Sequence, residues 1–270
     1  DSMELERERG ITIKAQAVRM DYVHTDNVQY QFNLIDTPGH VDFSYEVSRS
    51  LAACEGALLI VDATQGIQAQ TLANIYMALE RDLAIIPVLN KIDLQSAEIE
   101  RTFQELNQAF GFKQSEILHV SAKDGRGVPE LLSAITERIP PPKSEPNQPL
   151  SALVFDSKYD SYKGVVAYVR LMGGELGANR QVLMMASNTT ADVLEVGVFK
   201  PRMEKVKSLT AGEVGYIATG LKSLNDCRVG DTITLAKNGI TNPLPGYTPQ
   251  KPMVFAGIYP VDTEDYEDLR

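Results

Sequence analysis

The first half of the chain alternates short apolar runs with segments of helical period. The runs Ala57–Val61, Ala84–Leu89 and Ile117–Val120 are nearly continuous, as expected of parallel strands covered on both faces. Two earlier runs, Ala17–Val23 and Gln29–Ile35, predict strands joined by a polar turn. The pattern therefore predicts five strands in this half of the chain.

Helices are predicted between and after these strands. Apolar side chains recur at helical spacing in Gln68–Arg81 and Ser96–Phe110, and a third helix is expected at about Val128–Arg138. Ser96 is a candidate N-cap, and Gly111 stands where a glycine would end the second helix. Because strands alternate with helices, the pattern predicts an α/β domain with a doubly wound sheet.

The second half contains strands without helices. We expect the α/β domain to occupy residues 1–139 and a proline-rich linker to occupy 140–149. Seven short runs separated by Gly, Asn and Asp then follow: Ala152–Phe155, Gly164–Met172, Gln181–Ala186, Ala191–Phe199, Lys205–Leu209, Val214–Thr219 and Thr232–Leu235. Such spacing predicts an antiparallel β-barrel over 150–240. After a second Pro/Gly stretch, residues 251–270 are expected to open a truncated α+β domain.

Composition narrows the function classes. The net charge of −10 argues against broad electrostatic binding of nucleic acid, although it leaves room for docking through a local patch. No apolar run is long enough to span a membrane, and the charged start does not resemble a secretory signal. Cys54 and Cys227 show no metal-ligand spacing, so reduced thiols in a cytosolic protein are expected.

The segment Asp36–His40 follows a strand and opens a helix that contains Phe43, Val47 and Leu51. A carboxylate at this edge can hold Mg²⁺, usually through water. The amide of Gly39 lets a terminal phosphate approach a helix start, which would place His40 beside an attacking water. An ordinary strand-to-helix turn uses the same residue types.

The segment Asn90–Asp93 follows another buried strand. Asp93 can accept two hydrogen bonds from guanine, whereas adenine would leave that carboxylate unpaired. Asn90 can tie neighbouring loops together, and the aliphatic stem of Lys91 can cover the base. Taken alone, the segment also fits a polar loop at the end of a strand.

Two weaker segments complete the set. In Ser121–Lys123, the backbone N–H groups of Ser121 and Ala122 could donate to the guanine carbonyl, although a serine after a strand is common. In Arg9–Ile13, the hydroxyl of Thr12 could ligate Mg²⁺, although the segment also fits a β-branched strand entry. Three of the four segments follow predicted strands, which places their loops at one sheet edge, where ligands bind in such folds. Together they predict GTP binding.

With His40 after the glycine, the set resembles the translational GTPase family. Within it, the start of the chain through Ala15 is similar to the LepA, or elongation factor 4-type, back-translocase group. The similarity continues into the barrel at Tyr162–Val166, Ala211–Gly215 and Val229–Thr232. Elongation factor G is the nearest alternative, but the large insertion of its GTPase domain has no counterpart here. The resemblance implies a P-loop-GTPase-type sheet, incomplete at its N-terminus, followed by the barrel.

The resemblance also implies an activity, hydrolysis of GTP to GDP and phosphate on the ribosome, and roles for individual residues. Thr12 and Asp36 correspond to the Mg²⁺ site, Gly39 to the γ-phosphate contact and His40 to water positioning. The guanine site corresponds to Asn90, Lys91, Asp93, Ser121 and Ala122.

Partners and location are likewise implied only by resemblance. Ribosomal RNA and ribosomal proteins are the expected partners, with tRNA contacted through regions outside this chain. DNA binding is not expected. The protein is expected to be a monomer in the cytoplasm. Peripheral association with the cytoplasmic face of the inner membrane is suspected for such relatives and is implied only by the resemblance, since no residue pattern here supports it.

One element of the family is missing. The sequence contains no Gly-x-x-x-x-Gly-Lys-Ser/Thr phosphate loop and no Gly-Lys pair. In the family this loop follows a strand between Gln29–Ile35 and Ala57–Val61, and removal of that strand would split the sheet. We therefore hypothesise that the chain is a fragment, inactive in isolation, of a GTPase that contains the loop. A non-catalytic ribosome-docking module is the alternative.

The charge run Glu4–Arg9 is expected to be a solvated, mobile segment.

Overall fold

The computed structural model describes residues 4–9, 11–143, 147–245, 257, 259–262 and 266, apart from the side chains at positions 9 and 41. The predicted third domain, 251–270, therefore lies almost wholly outside the described residues. Within the part of the chain that is described, no helix combines the length and the apolar character needed to cross a bilayer.

Five helices and fifteen strands follow one another along the described chain. The helices are α1 (Glu4–Arg9), α2 (Ser44–Leu51), α3 (Ala69–Leu79), α4 (Ile99–Phe110) and α5 (Val128–Arg138). The strands of the first domain are β1 (Gln16–Val23), β2 (Gln29–Asp36), β3 (Gly56–Asp62), β4 (Ala84–Asn90) and β5 (Leu118–His119). Those of the second are β6 (Ser151–Asp160), β7 (Gly164–Gly173), β8 (Glu175–Gly177), β9 (Gln181–Met184), β10 (Thr189–Asp192), β11 (Glu195–Lys200), β12 (Arg202–Val206), β13 (Ser208–Thr210), β14 (Val214–Ala218) and β15 (Thr232–Leu235).

The start of α4 differs from the prediction and its end agrees with it. Gly111 adopts the left-handed conformation at φ 75° and its N–H bonds to the carbonyl of Asn107, as a C-terminal stop requires. At the other end, Glu98 rather than Ser96 is the N-cap. The prediction of Ser96 was wrong because successive turns, including one closed by Ala97 N–H on the carbonyl of Leu94, precede the helix.

The segment Glu4–Arg9 is a helix in which Glu4, Leu5, Arg7 and Glu8 are exposed, as expected of a solvated run, whereas Glu6 departs from that expectation. Glu6 is fully buried. Its carboxylate oxygen Oε1 accepts the backbone N–H of Ile13 at 3.0 Å and of Lys14 at 3.1 Å. A tertiary contact thus fixes α1 against the segment that carries Thr12, which charge patterning alone could not reveal.

The first domain contains two separate sheets. Strands β1 and β2 form an antiparallel pair, and β3, β4 and β5 form a parallel sheet in that order. Residues of both β2 and β3 line a cavity of about 1220 Å³. Among the described residues, no strand pairs with the edge of β2 or of β3 that remains free. The division predicted for a sheet without the phosphate-loop strand is present.

Helices cover both faces of the parallel sheet. On one face, Leu106 of α4 packs with Val61 and Leu89. On the other, Ile135 of α5 packs with Ile86. Burial of both faces explains why β4 reads as a continuous apolar run, and the doubly wound arrangement is confirmed. In β3, Val61 is buried whereas Ile60 is exposed.

The second domain is an antiparallel sheet in the order β10-β9-β15-β6-β7-β14-β11-β12, with β8 and β13 paired beside it. One buried cluster contains Ala191 of β10, at one end of that order, and Val206 of β12, at the other end, packs against it, so the sheet curls around a single core as a barrel does. The run Ala191–Phe199, predicted as one strand, is two. Val193 N–H bonds to Arg180, whereas Leu194 N–H bonds to Ala218, so the chain changes partner between them.

The two domains pack against each other through β1. Ala17 contacts an apolar cluster that contains Tyr168 and Phe199 of the barrel. Arg19 donates to the carbonyl of Val214 at 3.3 Å and also forms an ion pair with the barrel. Apolar and charged contacts thus both join the domains.

Candidate nucleotide-binding site

The loops after β4 and β5 meet because their strands are parallel neighbours. In the register, Asp62 at the end of β3 stands beside Asn90 at the end of β4, and Leu89 stands beside His119 of β5. The carboxyl ends of the three strands therefore share one edge, which is where α/β sheets bind ligands.

A small cavity of about 240 Å³ lies between these two loops. Its lining residues are Asn90, Lys91, Asp93, Leu94, Ala122 and Lys123. The side-chain oxygen of Asn90 accepts the N–H of Lys91 at 2.8 Å and the N–H of Ala122 at 3.1 Å. One amide therefore fixes both loops, as expected from the sequence.

Asp93 is held by Ser121. The hydroxyl of Ser121, which is fully buried, donates to Oδ1 of Asp93 at 2.8 Å and accepts the N–H of Asp124 at 3.3 Å. A buried hydroxyl with both bonds made restricts the carboxylate to one orientation. The sequence predicted only a backbone role for Ser121, so this side-chain role was missed.

The backbone N–H groups assigned to the guanine carbonyl are already bonded within the protein. Ser121 N–H donates to the carbonyl of Arg126 at 2.9 Å, and Ala122 N–H donates to Asn90. Donation by Ala122 to a base would therefore require a shared or exchanged bond.

Lys91 links this pocket to β3. Its backbone is left-handed, at φ 64°, and its ammonium group lies 2.6 Å from Oδ2 of Asp62. Burial alone would raise the pKa of Asp62, but hydrogen bonds from Lys91 and Thr64 outweigh it and lower the pKa below its ordinary value. Lys91, which lines the pocket, is thus tied to the end of β3.

Asp36 and Thr12 lie at a second place, where Asp36 lines the large cavity between β2 and β3. The hydroxyl of Thr12 is 3.5 Å from Oδ2 of Asp36, a long and weak contact. Asp36 is exposed, yet the surrounding protein desolvates its carboxylate and raises its pKa, while the bond from Thr12 acts in the opposite direction. The segment Asp36–Gly39 lines the same cavity as Asp62, so the two ends of the site adjoin one groove.

Gly39 and His40 complete this end of the site. A Cβ at Gly39 would meet nothing within 4 Å, so open space lies beside its backbone. His40 is exposed, and its Nδ1 lies 3.2 Å from Oδ2 of Asp42 and 3.4 Å from the Asp42 amide. Its ring lies edge-on to Phe43, with centroids 6.2 Å apart. Among the described residues, the polar contacts of the His40 ring are made by Nδ1.

The donor set of Thr12 and Asp36 suits Mg²⁺. This ion prefers oxygen ligands and is commonly held by one or two protein groups, with waters and substrate phosphates supplying the rest. No cluster of three or more His, Cys, Asp or Glu side chains that could hold a metal by itself occurs among the described residues. The residues present thus fit an ion bound together with a nucleotide.

The family follows from comparison with known proteins. Residues 1–141 match the family model described as Elongation factor Tu GTP binding domain, and residues 164–234 match Elongation factor Tu domain 2. The chain therefore belongs to the translational GTPases of the elongation factor type.

Within this family the chain is similar to elongation factor 4, the LepA group, as predicted. It is 59% identical over 270 residues to elongation factor 4 of Dehalococcoides mccartyi, 58% identical to that of Halalkalibacterium halodurans and 57% identical to that of Prochlorococcus marinus. The matches cover 100% of this chain but only 44–45% of each relative. The chain thus spans less than half the length of these relatives.

A solved structure shows the same fold. The crystal structure of a bacterial selenocysteine-specific elongation factor aligns with a TM-score of 0.71 at 23% identity. The alignment covers 87% of this chain and 40% of that one. At this identity the likeness supports the α/β domain and the barrel, and no more.

Proposed function

We propose that this chain is the nucleotide-binding and barrel part of an elongation factor 4-type GTPase, which hydrolyses GTP on the ribosome and thereby influences elongation or translocation. The observation that carries the proposal is the pocket in which Asn90 joins both loops and Ser121 orients Asp93. Similarity to elongation factor 4 over the whole chain supports it.

Guanine recognition is assigned to Asp93. With Oδ1 fixed by Ser121, the carboxylate is preorganised to accept the ring N–H and the exocyclic amine of guanine. Adenine offers neither donor there and would leave a partly buried carboxylate unpaired, which costs a few kcal/mol. Lys91 covers the base with its stem while Asp62 holds its ammonium group.

Hydrolysis is assigned to the end of the site beside the large cavity between β2 and β3. Mg²⁺ held by Thr12 and Asp36 would neutralise charge on the phosphates. Gly39 leaves room for the terminal phosphate, and His40 orients the attacking water through Nε2. Because phosphoryl transfer is mostly positioning and charge stabilisation, these residues contribute geometry rather than covalent chemistry.

The ribosome is the partner that the family and the similarity to elongation factor 4 support, and the cytoplasm is the corresponding location. Contacts with tRNA belong to regions outside this chain.

A titration of fluorescent GDP and GTP with Mg²⁺ tests the proposal. It compares this polypeptide with a version extended upstream by the phosphate-loop segment of an elongation factor 4 relative. Because that loop supplies most phosphate contacts, we expect the extended version to bind at least about a hundredfold more tightly. Equal binding by both would contradict the assigned phosphate site, and binding by neither would contradict GTP binding.

A non-catalytic docking module is the second candidate, favoured by the free strand edges at the groove and by the missing phosphate loop. Co-sedimentation with ribosomes separates the two. Ribosome binding by an extended version that binds no nucleotide would favour the docking module.

A further inference from the structure

A β-bulge in β6 turns two consecutive side chains toward the first domain. Pairing between β6 and β7 shifts register between Val154 and Asp156, which leaves Phe155 as the extra residue. Phe155 is buried against Ala53 of the first domain, and the next residue, Asp156, is buried as well. A bulge re-aims side chains in this way because it interrupts the strict alternation of a strand.

The carboxylate of Asp156 faces two cations of the first domain. Its Oδ2 lies 3.1 Å from the ammonium group of Lys14, and its Oδ1 lies 3.2 Å from the guanidinium group of Arg49. Only 4% of the Asp156 side chain and 7% of that of Arg49 are exposed, whereas 34% of that of Lys14 is. The buried carboxylate is therefore paired across the domain interface, since charges removed from water need such partners.

Lys14 belongs to the segment that carries Thr12. The backbone N–H groups of Ile13 and Lys14 both bond to Glu6 of α1. The segment is therefore held on one side by α1 and on the other by the barrel, and the hydroxyl of Thr12 approaches Asp36 between these anchors.

Arg49 belongs to α2, the helix that follows His40. The N–H of Phe43 bonds to the carbonyl of His40 at 3.0 Å, so the turn bearing His40 is continuous with the helix. Arg49 also pairs with Glu46 of the same helix and lies over the ring of Tyr45. Its contact with Asp156 fixes the helix to the barrel.

We propose that Asp156 is a positioning residue for GTP hydrolysis, because one barrel carboxylate anchors both the segment that carries Thr12 and the helix that follows His40. The inference rests on the function proposed above. Movement of the barrel would shift the metal-binding hydroxyl and the water-orienting histidine together. Small misplacements of such groups lower the rate of the chemical step more than they lower ground-state binding.

The substitution Asp156→Asn tests this, made in the extended version with its phosphate loop. The asparagine amide keeps the shape of the side chain but carries no negative charge to pair with Lys14 and Arg49. We expect kcat for GTP hydrolysis to fall about tenfold, with the dissociation constant for GDP changed less than about twofold. Lys14→Met, at a partly exposed position, is the second variant and should lower kcat in the same sense even if D156N does not fold.

Glu213→Gln is the matched control. Glu213 is also a barrel carboxylate paired with the first domain, but its partner is Arg19 of β1, at 3.0 Å. We expect kcat of E213Q to stay within about twofold of the unsubstituted protein. A cycle that combines D156N with Lys14→Met should be non-additive, because each change removes the same ion pair.

The outcomes separate the inference from the function on which it rests. Equal losses in D156N and E213Q, or a loss of GDP affinity that matches the loss of kcat, would overturn the positioning role. A normal kcat in the Lys14→Met variant would show that the ion pair between Lys14 and Asp156 does not position Thr12. Failure of the unsubstituted extended protein to hydrolyse GTP would instead overturn the proposed function.

Discussion

The two ends of the candidate site are built in different ways. At the base end, Asn90 joins two loops and Ser121 fixes Asp93, all through bonds of 2.8–3.1 Å between neighbours on a paired parallel sheet. At the phosphate end, Thr12 and Asp36 touch only across 3.5 Å, beside the cavity between β2 and β3, whose facing edges pair with no strand in the part of the chain that is described.

This difference shows which parts of the molecule hold the residues of each end in place. The base end is complete within its own sheet, so its geometry needs nothing from the barrel. The phosphate end takes its anchors from Glu6 of α1 and from Asp156 of the second domain. Substitutions at the two ends should therefore separate affinity from turnover.

The largest effect is expected from Asp93→Asn in the extended version. Loss of the carboxylate removes the acceptor for two guanine donors, and we expect GTP affinity to fall by about a hundredfold or more while xanthosine nucleotides become preferred. Competition of GTP and XTP against a fluorescent nucleotide measures this. Asp124→Asn, on the next loop, is the control, since the Asp124 carboxylate accepts from the backbone N–H and the guanidinium group of Arg126 in its own loop. Unchanged base preference would remove Asp93 from the guanine site.

His40→Ala probes the phosphate end. We expect ribosome-stimulated turnover to fall about a hundredfold, because the ring no longer orients water, while GTP affinity changes less than about twofold. Single-turnover hydrolysis and nucleotide titration are measured together. A parallel loss of affinity would show that the two ends are not separable in this way.

The smallest effect is expected from Ser121→Ala. Deletion of the hydroxyl frees the Asp93 carboxylate, and one such bond contributes about 1 kcal/mol, or roughly five- to tenfold in affinity. GTP affinity should fall by that amount with kcat unchanged. Ser133→Ala, whose hydroxyl bonds to Glu137 on α5, is the matched control. A fall in kcat alone would place Ser121 outside base recognition.

The sequence predicted most of what is local. Helix α5 has the predicted bounds, and the ends of β3 and β4 lie within one residue of the predicted ones. Each of these segments has a clear hydrophobic pattern and is flanked by residues that end helices or strands. Four of the five predicted base residues, Asn90, Lys91, Asp93 and Ala122, line one pocket, because parallel strands bring their ends together. Ser121 is buried beside it and bonds to Asp93.

What the sequence could not supply is non-local. The burial of Asp156 depends on partners far away along the chain, and the bulge at Phe155 has no signal in a single sequence. Glu6 is bonded by N–H groups only seven and eight residues later, but charge patterning does not reveal that turn of the chain. The wrong N-cap at Ser96 has a related cause, since tertiary contact of Glu98 N–H with the carbonyl of Ala63 sets where the helix begins. Ser96 fits the residue preference for an N-cap, but that preference contains no information about the contact between Glu98 and Ala63.

The free edges of β2 and β3 also affect how this polypeptide behaves in solution. Unpaired backbone groups along an edge can bond to a strand of another molecule, and Ile60, which is 57% exposed on β3, adds apolar surface to such a contact. The net charge of −10 repels a second copy and is screened by salt. Self-association of the chain should therefore increase with both protein concentration and ionic strength, and a peptide that occupies the groove should act as a solubiliser.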